Sequence, residues 1–393
     1  MHKVIAKVLQ RSALFVGLTA LAGCFGYGDG GAPTPDVLAT QGEDPSAQNL
    51  RVIGDGSVTV AMLLPLSAGG SASQLAQSFQ NAAELAMNEV ATDNIRVVVR
   101  DTAGETDVAQ VAAEAAIAEG AQLILGPVFA PAVSGVVGPA RAAGVPVVAF
   151  STDSSVAGRG TYLLSFLPKQ DATRIVGFAA ERGVTTFAGL VPDNGYGLVM
   201  EAALREAVAS AGGRVVALER YAPDDVASAA QALAGRGAAA AVFVPNGGDD
   251  PAEAARALAA AGIEARLLGS GQWDNRAVVA EPELVGAWYP GAAGSGFDGF
   301  AERYRTAYQA PPPRTASLVY DATLLANGLV GARGAGAFRP ASLQTSDGFL
   351  GVDGIFRLTR DGLSERGLAV YEVGADGAST VVSEAPSKFP PSF

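Results

Sequence analysis

Several apolar runs of the chain end in hydroxyl, amide and carboxylate side chains, and these are the groups able to do chemistry. Ser67 follows the run at 58–64, and Ser151, Thr152 and Asp153 follow the run at 146–150. Tyr196 follows 187–191, Asn246 follows 240–244, and Gln272, Trp273 and Asp274 follow Leu267 and Leu268. Hydroxyls and amides both donate and accept hydrogen bonds, aromatic rings offer a flat face, and an aspartate receives a cation. Such groups at the carboxyl ends of strands suit reversible binding of a small polar solute.

Two counts narrow the catalytic options. The only histidine is His2 and the only cysteine is Cys24, both in or beside the N-terminal leader. The body of the chain therefore has no Ser-His-Asp triad, Cys-His pair, His-ligated zinc or disulfide framework. Carboxylate-only chemistry and an oxygen-ligated metal are the routes left open, and no motif supplies a carboxylate pair. The expectation is a non-enzymatic protein with no cofactor and no metal. The net charge is −12, and the leader carries Lys3, Lys7 and Arg11 without an acid, so the rest carries −15. That balance lacks the basic footprint of a nucleic-acid binder.

The elements that position these residues alternate. Residues 58–64 are apolar over strand length, Pro65 stops them, and 67–71 are small and flexible. Leu75, Phe79, Ala82, Ala83 and Ala86 then recur at helical spacing. Strand and helix patterns continue through 95–150, and a second series runs from 171 to 289. Regular βα alternation predicts mainly parallel sheets flanked by helices. Two helices follow at 297–308 and 315–330, then a closing β pair at 348–358 and 368–373.

Ahead of the body, 1–11 is basic and 12–22 is apolar over only about half a membrane-spanning length. This reads as a signal peptide, residues 1–23. Leu21-Ala22-Gly23-Cys24 resembles a bacterial lipobox, which implies cleavage before Cys24, lipidation of its sulfur, and membrane anchoring. Phe25 at the next position implies the outer membrane. Residues 24–56 are rich in Gly, Pro, Asp, Ala and Ser and read as a flexible tether.

Taken together, 60–67, Leu125-Gly126-Pro127, 144–148, 192–197 and Tyr320-Asp321-Ala322 resemble the leucine-binding class of type I periplasmic solute-binding proteins. The stretch 268–274, Leu-Gly-Ser-Gly-Gln-Trp-Asp, is similar to a lipoprotein branch known as penicillin-binding protein activators. The resemblance implies two α/β lobes, a cleft and three crossings between lobes. The expected division is 57–166 with 290–348 for lobe 1, 167–289 with 349–376 for lobe 2, and 377–393 as a frayed tail. It implies a periplasmic, lipid-anchored binding protein whose partner is a penicillin-binding protein, the regulatory reading. The alternative is an ABC permease, which would make the chain a transport receptor for amino acids or another small polar solute.

The resemblance also implies site roles. Hydroxyls and backbone N–H groups hold a ligand carboxylate, a tyrosine packs on the ligand, and an acid receives its ammonium. Ser151 and Tyr196 fit, together with Ser67, Thr152, Asp153, Asn246, Gln272, Trp273 and Asp274. Phe129 stands where a serine-rich turn would help hold the carboxylate, and the acidic position falls on Gly271. On that reading free leucine, isoleucine and valine bind weakly or not at all, unless Asp153 or Asp274 takes the place of the missing acid.

Overall fold

A computed structural model of the chain describes residues 50–222, 225–292, 294 and 296–389. The leader, Cys24 and residues 24–49 of the tether lie outside the described residues.

The first sheet contains β1 (Arg51–Ile53), β2 (Val58–Leu64), β3 (Ile95–Asp101), β4 (Leu123–Leu125), β5 (Val147–Ala149) and β6 (Thr161–Leu163), in the order β1-β3-β2-β4-β5-β6. Every pairing is parallel except that of β1 with β3. In β2, Val60 to Leu64 are buried on both faces, as a continuous apolar run in a parallel sheet should be. Helices α1 (Gly70–Glu89), α2 (Thr106–Ala118) and α3 (Ala130–Ala143) cover the sheet. Phe79, Ala82, Ala83 and Ala86 form the buried stripe of α1, matching the periodicity of the sequence.

The second sheet contains β7 (Thr186–Pro192), β8 (Arg214–Tyr221), β9 (Ala241–Phe243), β10 (Arg266–Leu268) and β11 (Trp288–Ala292). Its helices are α4 (Pro168–Glu181), α5 (Gly195–Ser210), α6 (Val226–Ala234), α7 (Asp250–Ala260) and α8 (Arg276–Val279). The chain then returns to the first lobe with α9 (Gly296–Tyr308), α10 (Ala316–Arg333) and α11 (Pro340–Leu343). A small antiparallel sheet follows, β12 (Phe349–Gly351), β13 (Gly354–Leu358) and β14 (Ser364–Arg366). Two further strands, β15 (Leu368–Val373) and β16 (Ser379–Ser383), complete the second sheet in the order β16-β15-β11-β10-β9-β7-β8. The architecture is the expected one: two α/β lobes, with the chain crossing between them three times.

Three boundaries and one strand pairing differ from the sequence reading. Part of the expected tether is a strand: Arg51–Ile53 pairs with β3 and buries Ile53. The third crossing lies later than the division at 348/349. Phe356 and Leu358 belong to the first lobe's core, and both carboxylate oxygens of Asp321 on α10 accept from the Val352 N–H at 3.0 and 3.2 Å. Residues 349–366 are therefore fastened to lobe 1, and the chain crosses just before Leu368. The two closing strands do not pair with each other, because β13 joins the small sheet while β15 pairs with β11. Finally, 379–383 are not a frayed tail. They extend the second sheet through β15, and Arg174 of α4 donates to Ser383 Oγ at 2.7 Å.

Candidate functional site

In each main sheet the strand order reverses, around β2 near the middle of the first and around β7, next to the edge, in the second. Loops at the carboxyl ends of strands on either side of such a reversal diverge and leave a crevice. A cavity of about 510 Å³ lies there, between the lobes and beside the crossings. Thr152, Phe166, Arg314 and Thr315 line it from the first lobe, and Tyr196, Met200, Gly271, Gln272, Asp274 and Pro290 from the second. Leu368 and Pro168 close it at the crossings.

Four of the expected residues therefore line the cavity: Thr152, Tyr196, Gln272 and Asp274. The others do not, and each has a physical reason. Ser67 is drawn toward β3, its backbone N–H donating to Asp101 Oδ1 at 3.1 Å. The Ser151 hydroxyl is buried and accepts from the Asp153 N–H at 3.1 Å. Asp153 caps the next turn, accepting from the Ser155 N–H at 2.9 Å, and the Ser155 hydroxyl together with that N–H holds its carboxyl below the usual range. Phe129 leads into α3 and packs near Gly104. Asn246 donates its side chain to Asp250 and accepts the Trp273 indole N–H on its backbone oxygen at 2.8 Å.

Trp273 is the largest correction. Its ring is fully buried in the second lobe's core, beside Tyr289 and Leu284. Gly269 makes this possible. A Cβ there would lie 2.2 Å from the indole ring, so the ring lies flat on a backbone without a side chain. The loop then turns around Ser270, whose hydroxyl donates to the Pro245 oxygen and accepts from the Gln272 N–H at 3.2 Å. Tyr196 joins the same knot, donating to the Pro245 oxygen at 3.2 Å, and burial pushes its hydroxyl pKa up. Gln272 in turn accepts from the Gly247 N–H at 3.1 Å.

The acid that the sequence does not place at 271 comes from elsewhere. Asp171, in the first turn of α4, aims its carboxylate at Gly271 and accepts the Gly271 N–H at 2.9 Å. A Cβ on Gly271 would lie 3.1 Å from Asp171 Oδ2. The carboxylate thus occupies the space that a side chain at 271 would enter, and it borders the cavity. That one backbone bond is its only hydrogen bond among the described residues. Burial raises its pKa to about 7, opposed in part by the Gly271 N–H. In the sequence Asp171 stands only as the first residue of the second βα series. Only its position just past the first crossing hinted at more.

Arg314 is the other residue missed. It follows Pro311-Pro312-Pro313, which fixes the approach to α10. Its guanidinium lies 4.1 Å from the Phe297 ring centre and 5.1 Å from that of Phe166. Within its own lobe it pairs with Asp353 at 2.5 Å; across the cavity it reaches Asp274 of the second lobe at 3.7 Å. The cavity thus offers two carboxylates, Asp171 with one backbone bond and Asp274 facing Arg314 at 3.7 Å, together with an arginine already paired on both sides, hydroxyls and an apolar wall. It can hold a small solute bearing a cationic nitrogen.

Residues 57–378 match the family model described as periplasmic binding protein. Among curated proteins, a Leu/Ile/Val-binding protein homolog 6 from Brucella abortus (strain 2308) is 33% identical over 135 residues, 33% of this chain. The match spans about a third (34%) of that relative's length. Among solved structures, one from Rhodospirillum rubrum, provisionally described as a branched-chain amino acid ABC transporter, superposes with a TM-score of 0.71 at 22% identity. It covers 83% of this chain and 99% of that one. The branched-chain amino acid binding protein LivJ of Streptococcus pneumoniae, solved with isoleucine, gives 0.57 at 20% identity, covering 84% and 99%. These two likenesses establish the fold.

Proposed function

The chain belongs to the periplasmic binding protein family, and from that premise we propose that it is the solute receptor of an ABC transporter. Its ligand is a small solute carrying a protonated nitrogen, with amino acids as the favoured class. The observation that supports this most is Asp171 standing in the space left by Gly271. It supplies the ammonium partner whose lack had argued against amino-acid binding, so weak binding of free amino acids is no longer the expectation. The printed names of the relatives point the same way. The regulatory reading, with a penicillin-binding protein as partner, has less support. It rests on 268–274, and the distinctive Trp273 of that stretch is a core residue.

The test is a calorimetric panel of leucine, isoleucine and valine against deaminated analogues of the same carbon skeletons. Amino acids should bind, and removal of the nitrogen should weaken binding at least about tenfold, the worth of one charge-assisted hydrogen bond. No binding by any amine, or equal binding of amine and analogue, would refute the receptor reading for this class.

The family implies a periplasmic setting, and the lipid anchor at Cys24 is part of the proposal. Cys24→Ser should leave the protein in the soluble fraction or unprocessed. Membrane fractionation and mass identical to wild type would remove the anchor from the picture.

A further inference from the structure

A second cavity, of about 670 Å³, lies where two crossings meet and shares only Leu368 with the cleft cavity. One wall is the start of α4, which moves with lobe 2, and another is the small sheet of lobe 1 with 344–346. In a chain with 39 acids and 27 cations, this cavity gathers Lys169, Arg174, Arg357, Arg360 and Arg366 against only Asp361 and Glu365.

Much of that charge is held by the protein. Arg174 donates to the Leu368 oxygen and Ser383 Oγ, both at 2.7 Å. Arg357 pairs with Glu365 at 2.6 Å, and Lys169 pairs at the surface with Glu206 at 2.7 Å. Two cations are left over. Arg360 is exposed and has no hydrogen bond or ion pair among the described residues. Arg366 is 7% exposed, and neither of its terminal nitrogens has a hydrogen-bond partner; only Nε does, donating to the Ser165 oxygen at 3.4 Å. Its guanidinium lies under the floor, 4.8 Å from the Phe166 ring centre and 5.5 Å from that of Phe356. Asp321 and Asp353 attract it electrostatically, but Asp353 is committed to Arg314 and Ser317, and Asp321 to the Val352 N–H.

A cation held in a low-dielectric wall projects its field into the adjoining concavity and concentrates anions there. The volume exceeds what an inorganic ion needs, and Leu363, Pro386 and Phe389 give the cavity an apolar side. We propose that this cavity is a binding site for a small organic anion of two or more negative charges, with a residue set distinct from that of the cleft. Because its walls belong to both lobes, occupancy there and lobe closure are thermodynamically linked.

The test titrates citrate and glucose 6-phosphate into the full chain by calorimetry at constant ionic strength, with sodium sulfate as the control for a bare inorganic dianion. Binding of at least one organic probe is expected. The pair Lys169→Glu and Arg360→Glu, both at exposed positions, should weaken it about tenfold or more. Asp171→Asn should leave it unchanged, which separates this site from the cleft. A flat response to both probes at about 10 mM, binding that survives the charge reversal, binding that Asp171→Asn removes, or sulfate binding as tightly as the organic probes would each overturn the proposal. If charge reversal disturbs the fold, the neutral variant Arg360→Gln supplies the second measurement: it should weaken binding about threefold or more, and unchanged binding overturns the proposal.

Discussion

Replacing Asp171 by asparagine is expected to give a protein that is more stable without ligand and a poorer binder. Asparagine is the same size and its oxygen can still accept the Gly271 N–H, so the geometry survives. What changes is the cost of a carboxylate in a poorly solvated place. Its folded pKa, about 7, lies above the ordinary 3.8. The native protein therefore keeps a proton that the unfolded chain releases. Wild-type stability falls as the pH rises from about 4 to about 7 and levels off beyond. Asp171→Asn lacks this loss, so at pH 8 it should unfold roughly 1–3 kcal/mol later than wild type, the full shift being discounted for the side open to the cavity. At pH 4 the two should coincide. In the wild type, affinity for an ammonium-bearing solute should rise through pH 7, since the ligand prefers the ionised carboxylate. In the variant that pH dependence should vanish and affinity should fall roughly tenfold to a hundredfold. Urea unfolding at the two pH values and calorimetry across the range make the check. A variant less stable at pH 8, or one with an unchanged pH profile of binding, contradicts the assignment.

Arg314→Met is expected to act in the opposite sense, lowering stability by about 3 kcal/mol. The side chain of Asp353 is fully buried and Arg314 is its cation. Removing one member of a buried ion pair strands the other, which is what makes such deletions expensive. Asp353 keeps the Ser317 hydroxyl at 2.6 Å, so the loss should sit at the low end of the usual range. Adding Asp353→Asn should recover more than half of it. The cross-lobe partner behaves differently. Asp274 is 39% exposed on its side chain and 3.7 Å from Arg314, so Asp274→Asn alone should cost less than about 1 kcal/mol. Small-angle scattering on both variants should show lobes further apart than in wild type, because both remove the only ion pair across the cavity among the described residues. Arg314→Met within about 0.5 kcal/mol of wild type would show that Asp353 does not depend on it.

The two lobes were legible from the sequence because the apolar runs are long and their period is clear. Val60 to Leu64 cannot be anything but interior, and the alanine and phenylalanine stripe of α1 has one buried solution. The short elements were not legible. Arg51–Ile53 is three residues after a spacer, and its only apolar payload is Ile53 on an edge. The third crossing was misplaced because Asp321 fastens a turn whose partner is 31 positions away, and no local pattern encodes that bond.

The cleft was legible as a place more than as a list of side chains. Strand-end loops do meet there, but four of the ten expected ligand-binding residues border the cavity. Ser151 and Asp153 satisfy each other and a turn, which is what short polar side chains commonly do. Trp273 follows a glycine pair that looks like a flexible rim, whereas Gly269 is the bare surface the indole needs. Asp171 and Gly271 are a hundred positions apart, and only the packing of α4 against the loop brings an acid to a residue without a side chain.

The three crossings also set a timetable for biogenesis. Val60, Leu64 and Phe79 share a core with Phe300, Tyr304, Leu318, Phe356 and Leu358. None of these later residues exists when the first sheet leaves the ribosome. At about 5–20 residues per second, the gap from β2 to β13 is a wait of roughly 15–60 s with one face of the first sheet uncovered. The second lobe waits less, since β7 to β11 are contiguous, but it too lacks β15 and β16 until the end. The chain is thus slow to close by construction, because the contacts that seal its first lobe span nearly the whole body.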